Sequence, residues 1–297
     1  MPRGLFIQPA SGAAGDMFLA ALLDLGLDLD ALRAALEATA LSPFRLETRS
    51  VTQGALRATK LDVHVRRADG REVQEGRDAP KTADQPEGEA APHSHHDPHD
   101  HHGHSWRGID ARIAAAPMPE RARERARSLF RTLAAAEARS HGGAPEDVHF
   151  HEVGARDSIL DICGAAIALE LLDIDEVRCD RIGVGQGTRR TAHGSLPVPT
   201  PATAEILRGL PLFSTGVADE MVTPTGAAIL RGLTDAFEPP EPHRILATGY
   251  GSGTTRRADP PNVLRVTLYE PDAATGDGAR DEILVLETAH DDMTGEA

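Results

Sequence analysis

Aromatic side chains make up only 3% of this 297-residue chain, so its core must be assembled from Leu, Ile, Val and Ala. The same scarcity argues against a stacking platform for single-stranded nucleic acid. Basic residues are also outnumbered, 31 Lys and Arg against 46 Asp and Glu, for a formal net charge of -15. Clustered Lys and Arg are what neutralise a phosphate backbone, so nucleic acid is not an expected partner, and small ligands and metal cations are favoured. Two cysteines, Cys163 and Cys179, belong to no C-x-x-C pair and make no disulfide framework. They suit a reducing cytoplasm. No stretch approaches eighteen uninterrupted apolar residues, and the opening MPRGLFIQPASGAAGD lacks the apolar core of a signal peptide. The expectation is a soluble cytoplasmic protein with no membrane partner.

What is present reads as α/β. The apolar LFIQ at 5–8 predicts a strand, the turn SGAAGD leads into an amphipathic helix ended by Gly26, and a second helix is expected over 28–39. FRLETRSV and LRATKLDVHVRR alternate apolar and polar residues on either side of Gln53-Gly54, as in a β-hairpin. Between 68 and 105 large apolar residues nearly vanish in favour of Pro, Gly, acids and His, and such a segment cannot bury enough surface to offset its ordering entropy. It is expected to be a disordered insert. Helical periodicity returns at WRGIDARIAAA and in a long helix from Pro119 to about His141, followed by SILDICGAAIALELLDI, apolar on nearly every face and so packed inside. One strand over 177–184, a loop GQGTRRTAHGSLPVPTP, helices at ATAEILRG and TPTGAAILRGL, and strands near 243–249 and 262–269 complete the expected order. The organisation is an N-terminal α/β domain in two parts, 1–67 and 106–270, with a mixed sheet and packed helices, interrupted by the insert. The start of a second α/β domain follows at 281–297.

The chemistry concentrates in HFHEVGARDSILDICGA, residues 149–165. In an extended segment His149 and His151 point the same way, with Glu152 beside them, and on the following helix Asp157 and Asp161 share a face. Imidazoles and carboxylates converging at such a junction suit a borderline divalent metal such as Ni, Mn, Fe or Zn, or act as general bases. The plainer alternative makes Asp157 a helix cap and the histidines ordinary polar residues. The turns Ser11-Gly12-Ala13-Ala14-Gly15-Asp16 and Thr223-Pro224-Thr225-Gly226 each start a helix, where N–H groups can meet a phosphate, although neither has the Lys-Ser/Thr ending of a P-loop. Either turn can equally be a simple cap. Glycine-dense runs at 183–187, at His193-Gly194 and at 249–253 are weaker signals. His93, His95, His96, His99, His101, His102 and His104 form a tract that binds divalent cations without fixed geometry. On a flexible tether it would raise the local ion concentration near a fixed site.

Taken together, SGAAGDMFLAALLDLG, the His-rich insert, VHFHEVGARDSILDICG, HGSLPVPTPATAEILRG, TPTGAAIL, GYGSGTTRRADPPNVLRV and ETAHDDMTGEA resemble, in order, the pattern of the LarC family of nickel-insertion proteins. The resemblance implies a nickel chelatase. Its reaction would be CTP-dependent insertion of nickel into pyridinium-3,5-bisthiocarboxylic acid mononucleotide, giving the nickel-pincer nucleotide cofactor of lactate racemase-type enzymes. It also implies CTP held with Mn or Mg through a C-terminal domain, of which this chain carries only the beginning, and a homo-oligomer in the complete protein. That domain would be missing here or separately encoded. Many members have an acid where this chain has Gln8, which counts against a catalytic role for that position. Two rival classes fit the same residues: a nickel carrier working through the His tract, and a metal-dependent phosphate-ester hydrolase.

Overall fold

The computed structural model describes residues 3–41, 43–66, 72–73, 105–150, 156–191, 194–257 and 259–272. The chain opens with strand β1 (Gly4–Gln8), helix α1 (Gly15–Leu25) and helix α2 (Leu29–Ala38). Gly26, at φ 122°, ends α1 in a backbone conformation that a side chain would strain. Asp28 caps α2 by accepting from the Ala31 amide at 2.8 Å. The expected hairpin follows as β2 (Phe44–Gln53) and β3 (Leu56–Arg66), paired antiparallel from Phe44–Val65 to Gln53–Leu56, with the short β4 (Glu72–Val73) beyond. Three helices come next: α3 (Trp106–Ala115), α4 (Glu120–His141) and α5 (Arg156–Leu171).

The rest of the chain alternates short strands with helices: β5 (Glu176–Cys179), β6 (Ile182–Val184), β7 (Thr188–Thr191), β8 (Gly194–Pro197), α6 (Pro201–Leu207), β9 (Leu212–Ser214), α7 (Pro224–Leu233), β10 (His243–Ser252) and β11 (Val263–Pro271). The main sheet runs in the order β2-β3-β10-β11-β1-β5, with β4 beside β3. It is mixed: β1 pairs antiparallel with β11 and parallel with β5. The α/β class with a mixed sheet and packed helices is therefore as expected. Neither the 68–105 insert, β4 and Ser105 apart, nor the 281–297 segment lies within the described residues.

Two local expectations are corrected. The single strand over 177–184 is two: β5 belongs to the main sheet, while β6 leaves it to pair in parallel with β9. The break falls at Asp180 and Arg181, where the Asp180 amide donates to Ile7 O and the Ile182 amide donates to Pro211 O, so the chain changes partner. The segment GQGTRRTAHGSLPVPTP is not all loop, because β7 and β8 pair antiparallel within it.

The core lies between α1 and the sheet and continues through α5, which packs against α1, α2, α4 and α7. Residues Ile159–Leu169 of α5 are all buried, as a helix apolar on every side requires. Helix α1 lies directly on β10. A Cβ on Gly251 would stand 1.9 Å from Met17 O, and one on Gly249 would stand 2.1 Å from Ala21 O. Two of the glycines in GYGSG are thus explained by the approach of a helix backbone to a strand.

Candidate functional site

The two helix-opening turns, far apart in the sequence, meet in the fold. The Ala13 amide donates to Met221 O at 2.9 Å and the Thr223 amide donates to Ala13 O at 3.0 Å, a one-pair parallel bridge between the segments. Gly12, at φ 103°, has Met221 O only 2.0 Å from where a Cβ would stand, and at Gly226 the obstacle is Ala13 O at 2.2 Å. These glycines are required by the contact between the turns. Thr223 caps α7 by accepting from the Gly226 amide at 3.2 Å, and its hydroxyl lies 2.9 Å from that of Thr225. Ser11 is buried at the same junction.

The acids gather where α1 and α5 begin side by side. Asp16, in the first turn of α1, accepts from the Met17 amide with Oδ1 and pairs with Lys60 through Oδ2. Asp157 lies inside the first turn of α5 and not at its cap, accepting from the Ser158 amide at 2.6 Å. One helical turn further, the Asp161 side chain fills the place of the side chain Gly15 lacks: a Cβ there would lie 2.5 Å from Asp161 Oδ2. Asp161 is buried, and its Oδ1 has no hydrogen-bond partner. Burial, with the charges of Asp16 and Asp157, holds its carboxyl well above the usual range, and Lys60 opposes that rise.

Lys60 is the functional side chain that sequence reasoning missed. It comes from β3, where alternation sends Ala58, Lys60, Asp62 and His64 to one face and reads as a solvated edge. Its side chain is only 3% exposed, and its partner is 44 residues earlier in the chain. A lysine on the polar face of a hairpin carries no local mark of such a partner. Only its position within the tract KLDVHV, directly opposite Arg49 on β2, hints at a polar cluster across the strands.

Of the predicted residues, Asp16, Asp157, Asp161 and Gly15 come together, and Ser11, Gly12, Thr223, Thr225 and Gly226 form the neighbouring double turn. His149 is exposed, on a segment bridged antiparallel to Ser105, with Nδ1 3.1 Å from Asp147 O. Its neighbour Phe150 points inward, its ring 6.3 Å from that of Phe130, which in turn stacks on Trp106. His151, Glu152, His193 and the tract His93, His95, His96, His99, His101, His102 and His104 lie outside the described residues. Among the described residues no group of three or more His, Cys, Asp or Glu side chains is arranged to hold a metal ion. Neither thiol supplies a ready ligand: Cys163 and Cys179 are buried, and desolvation pushes each up to about 12.

Chemically, the junction offers a sequestered carboxyl with one oxygen unused, two further acids and a buried ammonium. That set can exchange a proton or attract a cation. Among the described residues no helix is long and apolar enough to cross a membrane.

Comparison with known proteins gives the wider setting. Residues 5–297 match the family model described as nickel insertion protein. A protein of Citrifermentans bemidjiense, provisionally named a nickel insertion protein, is 42% identical over 286 residues, covering 96% of this chain and 66% of its own length. Two relatives carry the name pyridinium-3,5-bisthiocarboxylic acid mononucleotide nickel insertion protein. That of Staphylococcus epidermidis is 36% identical over 298 residues, covering 100% of this chain and 66% of its own. That of Geobacillus kaustophilus is 38% identical over 301 residues, covering 99% and 67%. The chain thus spans about two thirds of the length of the curated relatives it matches, 64% to 66% for the first of them. No solved structure matches it. With a family match over nearly its whole length and identities near 40%, this chain belongs to the nickel insertion protein family.

Proposed function

We propose that this chain supplies the nickel-inserting domain for pyridinium-3,5-bisthiocarboxylic acid mononucleotide, acting in the cytoplasm as a chelatase that depends on CTP and on Mn or Mg. The product is the nickel-pincer nucleotide used by lactate racemase-type enzymes. The C-terminal domain, whose start is read at 281–297, binds the CTP and organises the oligomer.

The observation that carries this reading is the buried Asp161 carboxyl with its unused Oδ1, set against Gly15 and beside Asp16, Asp157 and Lys60. Nickel insertion forms one nickel–carbon and two nickel–sulfur bonds, so a ring carbon must lose a proton as the metal arrives. A carboxylate whose proton affinity is raised by desolvation is a better base than an exposed one. In this reading Asp161 takes the ring proton. Asp16 and Asp157 attract the incoming cation, assisted by His149, His151 and Glu152 on the preceding segment. The His tract at 93–104 concentrates nickel for delivery. The double turn of Ser11–Asp16 and Thr223–Gly226, with His193, contacts the nucleotide.

The test is nickel insertion into the mononucleotide with CTP and Mn or Mg, followed by visible absorbance, with and without a supplied C-terminal domain. Activity in the presence of that domain, abolished by Asp161→Asn, is the expected result. Full activity of Asp161→Asn would remove the residue from the reaction.

A further inference from the structure

A second polar cluster lies on the far side of Lys60. The β2–β3 hairpin and the segment after β10 frame a small solvent-open cleft. Arg49, Lys60 and Arg256 line it with Ser252 and Thr254, and no described Asp or Glu does. A cleft with three cations is out of keeping with a chain of net charge -15.

Two of these cations have partners behind the cleft wall. Arg49 Nε donates to Asp62 Oδ2 at 2.8 Å, and Lys60 pairs with Asp16. Arg256 is exposed and makes no ion pair with a described residue. The adjacent Arg257 donates through Nη2 to Asn262 Oδ1 at 2.7 Å, while its Nε and Nη1 are buried without a partner. Buried guanidinium donors left unmet are costly, but Arg257 does not itself line the cleft.

The loop carrying these arginines is held in advance. Gln53, buried at the end of β2, donates through Nε2 to Ser252 Oγ at 3.1 Å and Thr255 O at 3.3 Å, and its Oε1 accepts from the Arg257 amide at 3.3 Å. Asn262 Nδ2 donates to Thr255 O at 2.9 Å, and it stands 2.3 Å from where a Gly253 Cβ would be.

We propose that this cleft binds the phosphate monoester of the mononucleotide substrate, with Arg256 as its principal ligand and the exposed Thr254 hydroxyl as a further donor. The inference rests on the function proposed above and adds where the substrate is gripped. A phosphate monoester carries close to two negative charges, which a planar guanidinium fork matches better than any neutral group. Lys60 joins the two ends of the site, because it lines the cleft and also pairs with Asp16.

CTP offers phosphate chemistry too, so calorimetric titrations of the nickel-free chain compare nicotinic acid mononucleotide, its dephosphorylated riboside and CTP. The mononucleotide is expected to bind, and the riboside to bind at least about ten-fold more weakly, as loss of a charged hydrogen-bond set implies. Arg256→Ala is expected to weaken the mononucleotide by about ten-fold and leave the riboside unchanged, with Arg256→Lys recovering part of the loss. Because Arg256 is exposed, an unchanged melting temperature accompanies the loss. Equal binding of mononucleotide and riboside, no binding of either, or an Arg256→Ala chain that binds normally would overturn the assignment. CTP binding as tightly as the mononucleotide and lost with Arg256 would hand the cleft to CTP and equally overturn it. The titration contains no nickel, so its failure is distinct from a failure of nickel insertion.

Discussion

At the scale of single residues, Asp161 links stability and chemistry. Its folded-state pKa lies above its unfolded value, so the stability it contributes is complete below the unfolded pKa and is lost as pH rises through the folded one. Asp161→Asn removes that dependence. The variant's melting temperature is expected to gain on that of the parent chain as pH climbs, while nickel insertion is lost at every pH. In the parent chain supplied with a C-terminal domain, insertion is expected to rise with pH through the same folded pKa, because a base must be deprotonated before it acts. The thiols give a contrasting prediction. With both cysteines buried and raised to about 12, iodoacetamide at neutral pH is expected to leave the native chain unmodified and to label it only after unfolding, as mass spectrometry would record. Rapid labelling of the native chain would mean that one of them is accessible.

At the scale of elements, the seat of α1 on β10 is the joint most sensitive to a small change. Gly251→Ala would drive a methyl group into the Met17 carbonyl, 1.9 Å from the added carbon, and neither backbone can yield without moving a helix or a strand. The expected loss is about 1–3 kcal/mol or more in denaturant unfolding. Gly26→Ala, which meets no neighbour and suffers only from its positive φ, is expected to cost less. Elements with local signals were legible in the sequence. Helix α4 begins after Pro119 and ends at Gly142, in the left-handed conformation, as the pattern of the letters predicts. The division between β5 and β6 was not, because it is set by Ile7 and Pro211, partners far away in the chain that pull adjacent residues to different strands. The same distance hid Lys60. Asp157 and Asp161 were readable as a pair because four residues on a helix is a local relation. Their meeting with Asp16 depends on how α1 and α5 pack, which no short window contains.

At the scale of the whole molecule, the chain spans 66% of the length of the relatives it matches in Citrifermentans bemidjiense and Staphylococcus epidermidis. If CTP acts through the C-terminal domain, the chain on its own is expected to bind the mononucleotide without producing the nickel-bound chromophore, and adding that domain restores it. Chromophore formation by the chain alone would place the CTP chemistry within these residues.

The tight contact of α1 with β10 has one more consequence. Gly251 pins the helix, and the very next residue of β10, Ser252, lines the basic cleft. The opening of that same helix holds Gly15 against Asp161. Cleft and buried acid are therefore fastened to one rigid bar, and the span between them is fixed by the fold. A substitution that shifts this helix on its strand is therefore expected to disturb the cleft and the acid cluster together.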